Sequence, residues 1–133
     1  MNIADIRNAL ADSLDGLGIN AYSYAPDAPV SPAAYIYPDP FTYHATFDDG
    51  DDLTFVVRFL VASSSMQGGQ NQLDELISDE GQGSAVLAME SDTTLAGTVK
   101  STQVTDLRNY GVLSLPDQAT RYLSAELLVA ILV

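Results

Sequence analysis

The chain has 133 residues, 18 acidic against 5 basic side chains, a formal charge of −13 and 47 % apolar residues. That apolar share belongs to an ordinary globular domain, so bulk disorder is excluded despite the charge. A chain of this length is expected to form one domain spanning residues 1–133. The absence of cysteine rules out disulfide scaffolds, zinc ribbons and thiol chemistry, and His44 is the single histidine.

Residues 2–15 predict a helix. Ile3, Ile6, Leu10 and Leu14 recur every three or four positions, Asn2 is placed to cap the first turn, and Gly16 and Gly18 end it. A short strand is expected over Ile19–Tyr24, followed by a loop rich in proline. Five of the six prolines fall between Pro26 and Pro40, so the stretch cannot be a central strand throughout, although Ala33–Tyr37 predicts a short edge strand within it. A stiff segment of this kind suits a surface arm.

Residues 41–62 predict a hairpin. Phe41, Tyr43, Ala45 and Phe47 alternate with polar residues, and Asp48-Asp49-Gly50-Asp51-Asp52 makes the turn. The return strand, Leu53–Ala62, is apolar on both faces, which predicts a central strand or one covered by a second subunit. A helix over 66–78 is expected to turn Met66, Leu73, Leu76 and Ile77 inward. Ser84 is a good N-cap for a short helix carrying Val86, Leu87 and Met89. Strands are expected at Val99–Leu107, Tyr110–Leu115 and Arg121–Val133, with a turn at Pro116-Asp117-Gln118. Between the first two, Asp106-Leu107-Arg108-Asn109-Tyr110-Gly111 reads as a bulge or tight turn, or as an interface hot spot rich in Tyr and Arg. The grouping predicts an α+β fold: a mainly antiparallel sheet with an N-terminal helix and two central helices packed on it.

Motifs for chemistry are missing. Aligning Gly50 with the glycine of an EF-hand puts Ala45 and Val56 at ligand positions, so that calcium pattern fails. No nucleophile elbow, P-loop or dinucleotide fingerprint is present, and His44 has neither an evident nucleophile nor an orienting partner. The five basic residues, Arg7, Arg58, Lys100, Arg108 and Arg121, are scattered, the opposite of a phosphate-gripping surface. No secretory signal or run long enough to span a bilayer is seen, so a soluble chain with no membrane partner is expected.

The order and spacing of these pieces resemble the small tail-terminator proteins of long-tailed, non-contractile (siphovirus-type) bacteriophages. The resemblance rests on the amphipathic helix ending near Leu14-Asp15-Gly16-Leu17-Gly18, Tyr22-Ser23-Tyr24-Ala25-Pro26-Asp27 with Pro32-Ala33-Ala34, and the strand Leu53–Ala62. It continues through Gln72-Leu73-Asp74-Glu75-Leu76, Ser84–Met89, Arg108-Asn109-Tyr110-Gly111 and a last strand opening at Tyr122-Leu123. It implies a structural virion protein with no enzyme activity and no cofactor or metal, assembled in the host cytoplasm as a ring, usually hexameric. Such a ring caps the head-proximal end of the tail tube, stops its polymerisation and joins it to the neck. The implied partners are further copies of the chain, the major tail tube protein and a head-completion or stopper protein, while DNA passes through without specific binding. Neighbouring neck proteins, the head-closure or stopper and connector types, share size and lack of chemistry and form the alternative. An acidic binding or inhibitor protein and an enzyme are the other classes weighed. In a ring, Asp48, Asp49, Asp51 and Asp52 are candidates to line the channel, and Tyr35, Tyr37, Arg58, Leu60, Arg108 and Tyr110 are candidates for the subunit interface.

Overall fold

The computed structural model describes residues 2–27, 29–39, 52–62, 66–114 and 121–132, with the backbone alone at 52, 66, 67, 113, 114 and 121. Helix α1 (Ile3–Ser13) starts where the sequence places it, with the Asn2 side chain accepting from the Asp5 amide at 3.3 Å. A single 3₁₀ turn, Asp15–Leu17, follows and closes on Gly18 at φ 75°, a conformation that glycine enters without a Cβ clash. The stripe Ile6, Leu10 and Leu14 is buried, with Ile3 packed at its margin.

The remaining elements are β1 (Asn20–Tyr22), β2 (Ala33–Pro38), β3 (Asp52–Ala62), α2 (Met66–Ile77), α3 (Ala85–Glu90), β4 (Ser101–Ser114) and β5 (Arg121–Leu132). The strands form one sheet in the order β1-β2-β3-β5-β4, parallel between β1 and β2 and antiparallel elsewhere. The fold is therefore α+β, with the N-terminal helix and two further helices packed on a mostly antiparallel mixed sheet.

Strand period explains the core. Leu53, Phe55, Val57, Phe59 and Val61 of β3, and Leu123, Ala125, Leu127, Val129 and Ile131 of β5, share one face and pack against Leu10 of α1, Leu73 and Leu76 of α2 and Met89 of α3. Truncating a side chain buried as fully as Leu10 typically costs about 2–5 kcal/mol. Ser84 caps α3 as expected, its Oγ accepting from the Leu87 amide at 3.2 Å.

Two expectations change. The proline-flanked segment β2 is not an edge: it lies between β1 and β3, because its amides at 33–37 are free of proline and β1 supplies the outer partner. The two strands expected over 99–115 are one 14-residue strand, β4. The strip Asp106–Gly111 bends it without ending it, since the ladder resumes at Gly111 after a bulge. The proposed hairpin strand Phe41–Phe47, His44, the aspartates at 48, 49 and 51, the Met66 side chain and the turn Pro116-Asp117-Gln118 lie outside the described residues. The return strand of that hairpin, β3, is central, between β2 and β5.

Candidate functional site

The face of the sheet turned away from the helices carries the polar chemistry. Alternation sends Tyr35 and Tyr37 of β2, Val56, Arg58 and Leu60 of β3, and Tyr122, Ser124, Glu126 and Leu128 of β5 to this side. Register then aligns one residue from each strand: Tyr22 faces Tyr35, Tyr35 faces Arg58, Arg58 faces Glu126, and Glu126 faces Arg108. The result is a row across all five strands with an Arg–Glu–Arg sequence of charges at one end, an arrangement of opposite charges on directly opposed strands.

Glu126 is the centre of it, 1 % exposed. A buried carboxylate is tolerable only when its oxygens are filled. Here Oε1 accepts from the Asn109 side-chain amide and lies 3.2 Å from Arg58 Nη2, while Oε2 accepts from the Tyr37 hydroxyl and lies 3.8 Å from Arg108 Nη2. Burial alone would raise the Glu126 pKa. The hydrogen bonds from Tyr37 and Asn109, and the charge and hydrogen bond of Arg58, outweigh it and hold the carboxyl below its ordinary value. Burial and the bond to Glu126 push the Tyr37 phenol up to about 12. Arg58 also donates from Nη1 to the Tyr35 hydroxyl at 3.0 Å, and its guanidinium carbon lies 5.9 and 5.8 Å from the ring centres of Tyr35 and Tyr37. Asp39, just past β2, is 3.9 Å from Arg108.

Asn109 reaches Glu126 because of the bulge. Arg108 opposes Glu126 and Gly111 opposes Ser124, so two residues of β4 stand against one of β5, and Asn109 takes φ 55°. Asparagine tolerates this left-handed region better than most residues. The other residue of the bulge, Tyr110, donates its hydroxyl to Asp74 of α2 at 2.8 Å. Where β4 lifts off β5, a 230 Å³ pocket opens, lined by Arg58, Asn109, Gly111, Val112, Ser124 and Glu126. A larger groove of 670 Å³ lies between α1 and the turn after α3, with Asp5, Asp12 and Asp92 in its walls.

Four of the six residues singled out as interface candidates, Tyr35, Tyr37, Arg58 and Arg108, therefore meet around one carboxylate. Leu60 sits beside them in a small apolar cluster with Ala33, Tyr35 and Tyr122 and is already buried within the chain. Tyr110 stands apart, on β4 but turned to Asp74 of α2. Of the four acidic-turn residues, Asp52 opens β3 opposite Leu132, with its side chain outside the described residues. Glu126 and Asn109 were not singled out by sequence. Glu126 had a usable signal: it is the one charge in Tyr122–Val133, as Arg58 is in Leu53–Ala62, and two lone opposite charges in two buried strands call for each other. Asn109 had none, because its role depends on the bulge. Among the described residues, no three His, Cys, Asp or Glu side chains gather as a metal site. No protein-family model matches this chain, and no match to it is found among curated proteins.

Proposed function

We propose that this chain is a structural virion protein of the tail-terminator type: a ring subunit, hexameric by the resemblance, at the head-proximal end of a siphovirus-type tail tube. In this reading it is assembled in the host cytoplasm, stops tube polymerisation and docks the neck through a head-completion protein. One observation supports it most. Among the described strands the sheet ends in β4, 14 residues long, and Leu107, Tyr110 and Val112 stand exposed along six consecutive positions of it. A long edge with apolar side chains is a template for pairing with another chain, and rings form when such contacts join unlike surfaces head to tail.

A neighbouring neck role, as stopper or connector, uses the same surface and differs in which ring it meets. A second class, an acidic protein that binds a basic partner, draws on the groove walled by Asp5, Asp12 and Asp92, whose lining holds no basic residue.

The deciding experiment is native mass spectrometry of the purified chain, then negative-stain imaging with tail-tube protein. The terminator reading requires closed rings that cap tube ends and limit tube length. A strictly monomeric chain that leaves tubes uncapped overturns it. If the aspartates at 48, 49, 51 and 52 line the channel, replacing all four with lysine makes the ring retain DNA in a salt-dependent way.

A further inference from the structure

The pocket beside the bulge is rich in donors and poor in free acceptors. Glu126, its one carboxylate, is saturated by Tyr37, Asn109, Arg58 and Arg108. Arg58 spends Nη1 on Tyr35 and Nη2 on Glu126, while its buried Nε has no acceptor among the described residues. Its side chain is 26 % exposed, so the guanidinium is within reach from outside. The Ser124 hydroxyl lines the floor beside it. Asp39, the other carboxylate near the row, is held by Arg108, and neither of those two lines the pocket. Among the described residues, the pocket lining holds no carboxylate other than the saturated Glu126.

We propose that this pocket receives a carboxylate side chain from a second copy of the chain. The inference rests on the reading of the chain as a ring subunit and adds to it the residues that hold the neighbour. Three observations choose this occupant. The pocket wall is Gly111 and Val112, so it is continuous with the exposed β4 stretch that supports ring contact. Its volume of 230 Å³ admits one side-chain head group and not a folded segment. Charge also limits the choice: copies with 18 acidic and 5 basic residues repel one another unless a contact places carboxylates on the few cations, and two of those five, Arg58 in the pocket and Arg108 across β5 from it, lie in this row on either side of Glu126. An incoming carboxylate takes a hydrogen bond from Ser124 and a charge-assisted one from Arg58.

Sedimentation velocity of the purified full chain, over a range of concentration and salt, tests this. The expected result is self-association that weakens with salt, falling at least about tenfold in Arg58→Lys, which keeps the charge and loses the planar fork. Ser124→Ala, which removes one hydroxyl from the pocket floor, is expected to weaken association several-fold while circular dichroism and Tm confirm an intact fold. Association that is equally strong in both variants overturns the pocket assignment and leaves the ring reading standing. A wild-type chain that is monomeric alone, yet forms rings on tail tubes, also overturns it, since the second copy then docks without this site. A third arm titrates inorganic phosphate and follows the Ser124 and Asn109 amide resonances. Shifts there with no competition against association mean a free-anion site and overturn the second copy as occupant.

Discussion

Glu126 shows how one residue can tie four strands together. Its carboxylate is held by a tyrosine from β2, an arginine from β3 and an arginine and asparagine from β4, so removing the charge strands two cations at once. Glu126→Gln is expected to cost about 2–3 kcal/mol by urea denaturation, less than a wholly buried pair because Arg58 and Arg108 are 26 % and 40 % exposed and keep some water. The same residue sets an acid limit. Its folded pKa lies below the unfolded one, so in acid the unfolded chain binds the proton first. The stability Glu126 contributes is complete above the ordinary glutamate value of about 4.3 and is lost as pH falls through the lowered folded value. An acid titration of Tm that is shallower in Glu126→Gln than in wild type checks this, and parallel curves in the two proteins refute it.

At the scale of elements, the turn joining α3 to β4 carries the most backbone strain. Leu95, Ala96 and Gly97 take φ 48°, 58° and 85° in succession, held by Asp92, whose carboxylate accepts from the Thr94 hydroxyl and amide and from the Ala96 amide. Leu95 is tied there by burying its side chain, whereas Ala96 is exposed and gains nothing for its left-handed backbone. Ala96→Gly is therefore expected to stabilise the fold by about 0.5–1 kcal/mol, read as a rise in Tm. Strain of this kind was invisible in the sequence, because it depends on the hydrogen bonds that Asp92 makes in the folded turn. Local pattern did locate α1, α2, α3, β3 and β5, because each has a repeating apolar face or a cap that acts over a few residues. It missed that β2 lies inside the sheet and that β4 runs unbroken, because both depend on partners distant in the chain: β1 shields one side of β2, and β5 carries β4 across its bulge. For the site, period two puts Tyr35 with Tyr37 on one side of β2 and Arg58 with Val56 and Leu60 on one side of β3, but only strand register brings these together with Arg108, Asn109 and Glu126.

For the molecule as a whole, the feature that stands out among the described residues is the β4 edge, which no other described strand pairs on its outer side. Leu107 is 49 % exposed on the strand between the two register shifts, so Leu107→Lys should change folding stability by less than about 1 kcal/mol. It places a charge where an edge-to-edge contact would form, a device natural edges use to stay unpaired. The expected outcome is an unaltered melting curve with self-association lost in sedimentation. Wild-type association in this variant would remove β4 from the ring contact.

The position of β5 between β3 and β4 has a kinetic consequence. Its pairing with β4 begins at Ser114 with Arg121, close together in the chain, whereas its pairing with β3 joins residues 60 to 80 positions apart, from Ala62 with Tyr122 to Asp52 with Leu132. Closing a loop of that length precedes any reward from the ladder, so the hairpin is the early event and its docking on β3 the slow one. Until that docking, β3 presents an apolar strand with one side unpaired, the species most prone to aggregate. Val129→Ala, at a position that touches both neighbours of β5, should slow refolding in stopped-flow experiments. Leu10→Ala on α1 should mainly quicken unfolding, because the helix packs only once the sheet it rests on is whole.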